Sequence, residues 1–563
     1  MAANARKVQA LYWSFIEFGK SVLSDEEAWF EISIVRSTQT NKIQGNLSGL
    51  VGAMLKHGFF NGSGHCMKTA GIALTMFTGE VVHIWAEFHA LLADESAIHQ
   101  TWQCKGSGGV KPCILCSNVF NRLHQRDAIA RSPDWAVLHT CTDPTLFVPS
   151  TKATIMRVMQ RLREIREGRD TSLPLDEAET VFGWNLVDGS MLLDDDLLPL
   201  IDPSTQTMFD SMHVFYVNGV ANVHVGCMMK ALKPYGITYS TLHSYASLFT
   251  WPRRIGNMTG VNALGPKRAK GSWDAKRFKA QASELQSLFP VLANFMTNVV
   301  CVEGGNAVAR RHGLCFLKLT AVLDLIDKSA RGGVTKDALQ RAMATYLTEF
   351  KALYGETGMT IKFHVAFHLA VWLDSVHFLP NCTVLERKHR TPKKFADAIR
   401  NTGAAFESGV LREVTLRHLG VLCDACSVHF EVQPCLQNPI TPNAKLKARL
   451  ESTFGSSSYI ASAAARCSEW EVVHTGDVVL FTLRDGNVGV GRVQLHFSTS
   501  KRYAPLTIIH QWEFIRHKND ISYTWRAHTD WPCVVDTSVI LCATTFCLND
   551  GVAEVLRPAH ARV

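Results

Sequence analysis

Long apolar runs are missing from this chain. The richest window, 70–93, is broken by Thr75, Thr78, Gly79, Glu80, His83, Glu87 and His89, whereas a membrane-spanning helix needs about 18 or more nearly unbroken apolar residues. A secretory leader is missing too, because Arg6, Lys7, Glu17, Lys20 and the acids Asp25, Glu26 and Glu27 interrupt any apolar leader core. Charge is sparse at 19% of residues, against 47% hydrophobic and 9% aromatic, which excludes intrinsic disorder as the main state. There is no internal repeat, no HExxH signature and no recognisable amino-terminal DNA-binding finger. The expected location is therefore nuclear or cytoplasmic, not secreted and not membrane-bound. In such a compartment the 16 cysteines serve as reduced thiols or metal ligands.

What is present is a long, core-forming chain of 563 residues, enough for roughly two to four domains of about 150 residues. Its 58 Lys plus Arg against 50 Asp plus Glu leave +8, which permits a polyanionic partner without specifying one. Strand-like segments at 11–18 and 29–37, a helical run at 48–56 and further strand-like segments at 71–77 and 81–92 predict an α/β layer. In it a strand delivers Asp94 at its carboxyl end and a helix follows over 95–102. Residues 151–163 predict an amphipathic helix with a solvated basic face. From about 210 to 375 the periodicity is helical, notably over 281–300, 309–328 and 336–354. Residues 436–466, with Pro439, Pro442 and three consecutive serines, predict a linker. Beyond it, 478–484, an Asp485-Gly486 turn, 488–497 and 506–515 predict three strands of a small β-barrel.

Three constellations carry chemistry. The first is Asp94 with Cys113-Ile114-Leu115-Cys116, which lies just past the glycine-rich stretch 105–112. A carboxylate at a strand end suits a divalent cation, and CxxC has the spacing of half a zinc site; Asp94 also reads as the N-cap of the next helix. The second is Asp210 and His213, which complete the CxxC site or bind a catalytic ion. The third is His364 and His368 followed by Glu386. Without a Glu in the HExxH position the histidine pair reads as a packed helix face, and Glu386 alone reads as an ion-pair partner of Arg387 or Arg390. Separately, Arg253, Arg254, Lys267, Arg268, Lys270, Lys276, Arg277 and Lys279 stand against one acid, Asp274, with Trp251 and Trp273 nearby. That interleaving suits phosphate contact and base stacking, and a long solvated loop equally.

Taken in order, these motifs resemble the catalytic domain of CACTA-type (En/Spm-like) DNA transposases. The similarity is greatest to transposon-derived proteins of dinoflagellate genomes, which have stretches like 29–37, 105–116 and 385–389, and it spans about residues 8–400. It implies an RNase H-like α/β core interrupted by a large helical insertion. The expected division is a core with its CxxC knuckle over 1–150, the insertion over 151–360, the end of the core over 361–435, a linker over 436–468 and the small β-barrel over 469–563.

The resemblance further implies Mg²⁺- or Mn²⁺-dependent cleavage and strand transfer of DNA, acting on transposon ends and target DNA, with a homo-oligomer possible. Asp94 matches the second catalytic carboxylate, Glu386 the terminal Glu, Asp210 and His213 the D(2)H motif, and Cys113 and Cys116 the C(2)C motif. The expected zinc set is Cys113, Cys116 and His213, closed by Asp210 or another histidine. The family's first Asp lies on a strand that would precede 11–18, and no acid occurs before Glu17. The expectation is a chain that begins just after the first catalytic strand and is inactive as it stands. A non-enzymatic nucleic-acid-binding remnant with a structural zinc site is the alternative, and a zinc-stabilised interaction protein without a DNA role is a third.

Overall fold

The computed structural model describes residues 8–60, 66–76, 78–124, 135–329, 331–379, 382–399, 403–425, 433–455, 458–468, 471–500, 502–528 and 532–558. It is a mixed α/β protein with small sheets, and its contacts divide it into two compact units. One is Met1–Phe215 with Gly332–Val428, the other Tyr216–Arg331 with His429–Val563.

In the first unit, β1 (Val8–Trp13) and β2 (Phe30–Arg36) form an antiparallel pair with a register shift at Leu11/Tyr12. Helix α1 (Asn46–Phe59) comes next, then the hairpin of β3 (Ile72–Thr75) and β4 (Val81–Ile84). The short strand β5 (Leu91–Ala93) leads into α2 (Glu95–Trp102). The strand expected over 81–92 is instead two, β4 in the hairpin and the three-residue β5, and it is β5 that delivers Asp94 to the expected helix; Asp94 is the N-cap, its carboxylate accepting from Ala97 N at 2.7 Å. Strands β6 (Val119–Phe120) and β7 (Val137–Leu138) pair in parallel, and β8 (Thr207–Phe209) pairs in parallel with β5 in the register Leu91–Thr207, Leu92–Met208 and Ala93–Phe209. Five further helices of this unit are α3 (Ser211–Phe215), α4 (Ile361–Leu369), α5 (Thr383–Lys388), α6 (Arg390–Ala398) and α7 (Phe406–Ala425). Val8 and Ile34 pack against Ala396, Phe406, Val410 and Val414, which fixes α6 and α7 on the β1–β2 pair.

In the second unit, helices Val220–Leu232, Ala282–Phe295 and Ala307–Ser329 bury Leu285, Leu288, Phe289, Phe316 and Leu319, with Phe289 stacked on Phe316 at 4.8 Å. This helical block shares a unit with the carboxyl-terminal strands. Thr250 and Phe546 exchange backbone hydrogen bonds at 2.7 and 3.1 Å, and Asn294 donates to Glu554 at 3.1 Å. Helices Lys152–Arg166 and Leu175–Phe182, expected in the insertion, belong to the first unit, so the segment inserted between its two parts is 216–331 rather than 151–360.

Two further expectations are corrected. The expected linker 436–468 holds helix Ala444–Phe454 and strands Tyr459–Ser462 and Ala464–Ser468, because Leu450 and Tyr459 are buried with Phe497 in one apolar cluster. The carboxyl-terminal sheets do not close into a barrel. The six-stranded sheet runs from Pro532–Asp536 through Arg502–Gln511, Val488–Thr499 and Val478–Thr482 to Ile540–Ala543, with Tyr459–Ser462 pairing with Val488–Thr499 off this path, and Pro532–Asp536 and Ile540–Ala543 do not pair with each other. The expected third strand breaks at buried Trp512, and its remainder, Glu513–His517, joins a separate four-stranded sheet. No described helix is long and apolar enough to cross a membrane.

Candidate metal centres

The CxxC knuckle is held by backbone pairing rather than by regular strands. Ser117 N donates to Val148 O and Ser150 N to Leu115 O, each at 2.9 Å, and the buried Asn118 amide bridges Trp135 O, Leu146 O and Val148 N. Gly106, just before it, has φ +53°, and a Cβ there would lie 2.2 Å from the His99 ring, so only glycine fits that turn. Both cysteines of the knuckle are buried, packed with Val119, and the histidine they meet comes from α4. Cys113 Sγ lies 3.3 Å and Cys116 Sγ 3.5 Å from His368 Nε2, which is 3.0 Å from His364 Nε2. All four ligand atoms lie within 4.8 Å of one another.

This donor set fits a tetrahedral zinc ion. Bonds of about 2.3 Å to sulfur and about 2.0–2.1 Å to nitrogen require ligand–ligand separations of roughly 3.4–3.8 Å, and adjustments of a few tenths of an ångström reach them. The electrostatics agree. Burial pushes the His364 imidazole below its ordinary range, keeping it neutral as a ligand must be. Burial opposes ionisation of Cys113, but the hydrogen bond from Cys116 and the His368 and His364 rings outweigh it, so Cys113 is held well below the usual thiol range while the proton stays on Cys116.

His213 is therefore not a ligand of this site. The histidine pair supplies both nitrogens, since a structural site needs only two imidazoles one helical turn apart; the Glu of HExxH serves protease catalysis and not metal retention. That i, i+4 pair is the signal present in the sequence, and the protease template obscures it.

The second centre forms where β5 and β8 end. Because Ala93 pairs with Phe209, Asp94 and Asp210 are the next residues of two neighbouring parallel strands. Asp210 is buried and accepts from Met212 N at 3.2 Å, His213 N at 3.0 Å, Cys382 N at 2.9 Å and His213 Nδ1. Cys382 N fixes the start of α5, whose first turn carries Glu386, with Glu386 N donating to Cys382 O at 2.8 Å. Asp210, His213 and Cys382 bring their ligand atoms within 4.8 Å of one another.

Two groups register the whole arrangement. Burial, then the charges on Asp210, Asp94 and Glu386, raise the Cys382 thiol well above its usual range. Burial opposes protonation of His213, but the hydrogen bond to Asp210 and the charges on Asp210, Asp94 and Glu386 prevail and raise its pKa. The charges on Asp94, Asp210 and Glu386 thus act on both His213 and Cys382, while the side chains whose ligand atoms actually meet are Asp210, His213 and Cys382. Glu386 is exposed and its carboxylate has no hydrogen bond or ion pair among the described residues; Arg387 pairs instead with Glu26 at 3.0 Å. Glu31 is engaged by Lys388 and His418, each at 3.0 Å.

The basic segment 253–279 is not a long flexible connection. It forms the turn Arg253–Ile255 and helices Val261–Leu264 and Pro266–Ala275. Arg254 pairs with buried Glu471 at 3.1 Å, and Arg268 reaches both oxygens of Glu284 at 2.6 and 2.7 Å. Lys267, Lys270, Lys276, Arg277 and Lys279 are exposed and have no ion pair among the described residues, while exposed Arg253 uses its backbone N–H to cap onto Asp477 at 2.8 Å. The chain matches no protein-family model and no curated protein.

Proposed function

We propose that this is a transposon-derived, DDE-type transposase-like protein whose first unit is an RNase H-like core and whose ancestral chemistry is Mg²⁺- or Mn²⁺-dependent cleavage and strand transfer of DNA. The observation that carries this is that Asp94 and Asp210, residues far apart in sequence, follow the paired ends of two parallel strands, with Cys382 N donating to Asp210 from the start of the helix that carries Glu386. Asp94 and Glu386 are the carboxylates available to hold the cation. A divalent cation there would activate an attacking oxygen and stabilise a leaving one. Lys362, whose ammonium donates to His213 O at 2.9 Å, places a positive charge beside the same centre. Cys113, Cys116, His364 and His368 hold zinc as a structural clamp between the knuckle and α4. The exposed cations of 253–279 contact the phosphates of the DNA partner.

One observation favours the alternative of a non-enzymatic nucleic-acid-binding remnant with a structural zinc site. Asp210 spends both of its oxygens on neighbouring N–H groups. A strand-cleavage assay on labelled DNA in Mg²⁺ or Mn²⁺, with Asp94→Asn and Glu386→Gln as controls, decides between them. Cleavage lost in both controls supports the enzyme; binding of DNA without cleavage in any metal supports the remnant.

A further inference from the structure

The side chains that meet beyond the end of β8 are Asp210, His213 and Cys382, an oxygen, a nitrogen and a sulfur donor whose ligand atoms all lie within 4.8 Å of one another. Local geometry brings two of them together. Asp210 follows β8, and His213 stands one turn further on in α3, where its Nδ1 meets Asp210 Oδ2. Cys382, 172 positions away, is delivered by its backbone, since Cys382 N donates to Asp210 Oδ1 at 2.9 Å. The next residue holds it there, the Thr383 hydroxyl donating to Met212 Sδ at 3.5 Å. The Asp210 side chain is fully buried and Cys382 is buried, whereas the His213 side chain is 16% exposed.

We propose that Asp210 Oδ2, His213 Nδ1 and Cys382 Sγ form a binding site for a zinc-class cation, Zn²⁺ or Co²⁺, separate from the Asp94 and Glu386 carboxylates and independent of the chemistry proposed for them. Bonds of about 2.0–2.2 Å to oxygen and nitrogen and about 2.3 Å to sulfur put tetrahedral ligands roughly 3.3–3.7 Å apart, so the His213 ring has only to turn off Asp210. The hydrogen bonds on Asp210 leave room for the ion. Oδ1 keeps Met212 N and Cys382 N, Oδ2 keeps His213 N, and the His213 Nδ1 proton alone stands in the ion's place. That proton moves to Nε2, which has no hydrogen bond among the described residues, so the imidazole stays neutral and turns a lone pair to the ion. Cys382 binds as the thiolate and its proton passes to solvent. Sulfur and nitrogen donors select zinc-class ions over Mg²⁺, which takes oxygen ligands. Three protein ligands leave the fourth position to water on the exposed His213 side, the pattern of an open zinc site and not of a closed structural one. With three ligands against four and an internal hydrogen bond to give up, this site is weaker than the knuckle and fills after it.

The test uses the full chain, stripped of metal, given one equivalent of Zn²⁺ to fill the knuckle and then titrated with Co²⁺, whose thiolate charge-transfer absorption reports sulfur bonded to the ion. Zn²⁺ holds the knuckle against Co²⁺ by its higher affinity. The wild type should take up one Co²⁺ with a thiolate band that excess Mg²⁺ does not remove. Cys382→Ser should abolish the band, and His213→Ala should weaken Co²⁺ binding by more than the roughly 10–100-fold that losing a supporting residue costs a metal site. Retention of the knuckle zinc by both variants shows that the first unit is still folded. Asp94→Asn and Glu386→Gln should leave the band intact. No Co²⁺ uptake by the zinc-loaded wild type, uptake without a thiolate band, or a band that persists in Cys382→Ser would each overturn the proposal. Co²⁺ uptake lost in Asp94→Asn and Glu386→Gln but unchanged in Cys382→Ser and His213→Ala would assign the cation to the carboxylate site, so that reading would stand while this one fell.

Discussion

Asp94 and Asp210 stand side by side because Ala93 and Phe209 are the last paired residues of two parallel strands. Asp94 also caps α2 through Ala97 N at 2.7 Å, a role separate from the cation binding proposed for it. The two roles separate by substitution. Asp94→Ser keeps a capping oxygen and should leave the unfolding free energy nearly unchanged while abolishing divalent-cation binding. Asp94→Ala should lose cation binding and also about 1 kcal/mol of stability. Denaturant titration alongside Mn²⁺ titration reads both, and equal stability for the two variants would show that the cap contributes nothing.

The buried knuckle predicts a stoichiometric metal. Purified protein should contain one zinc, measured by atomic emission, and Cys113→Ser, His364→Ala or His368→Ala should each lose it. Each should destabilise the first unit, since the remaining buried polar ligands are left unpaired at about 1–3 kcal/mol apiece. His213→Ala should keep its zinc. Retained zinc in His364→Ala together with lost zinc in His213→Ala would contradict the assignment.

His418 makes stability depend on pH. The hydrogen bond to Glu31 raises its pKa above the ordinary 6.5 despite burial, and the groups facing it are Glu31, Glu27 and Lys388. Its contribution is therefore fully present below pH 6.5 and fades as pH rises through the higher folded-state value. Burial opposes ionisation of Glu31, but His418 and Lys388 hold its pKa below 4.5, so that contribution is present above pH 4.5 and fades as pH falls through the folded-state value. Chemical denaturation should find both contributions between these two values, and His418→Gln should flatten the alkaline decline. An unchanged profile would show that His418 titrates alike in both states.

Among the basic residues of 253–279 the structure predicts a division of labour. Neutralising Lys267, Lys270, Lys276 and Lys279 together should weaken binding to DNA of any sequence and reduce its salt slope by about 0.9 for each phosphate no longer neutralised, with stability unchanged. Arg268→Gln should instead cost about 1.5–3 kcal/mol of stability, because it strips a nearly buried Glu284 of its paired donor. Filter binding across a salt series and thermal unfolding measure the two effects. Unaltered affinity in the lysine variant would make these four side chains merely solvated.

Sequence alone determined what depends on neighbours a few residues away. The cap at Asp94 and the helix over 95–102 follow from a capping side chain and helical spacing, both local, whereas the strand expected over 81–92 splits because its two ends pair with different partners. Local signals also account for the helix over 336–354 and for the turn at Asp485-Gly486. Tertiary structure decided which local features meet. Cys113 and Cys116 find a histidine 255 and 252 positions away, and nothing in CxxC distinguishes His368 from His213, because that choice is made by which helix packs over the knuckle. The fate of Arg268 was equally illegible, since its partner Glu284 lies on another helix and only packing turns a run of like charges into one ion-paired residue among exposed ones. Likewise, the turn-forming composition of 436–466 points to a linker, but burial of Leu450 and Tyr459 against Phe497 orders it, because apolar contact with a distant strand outweighs local preference for loop.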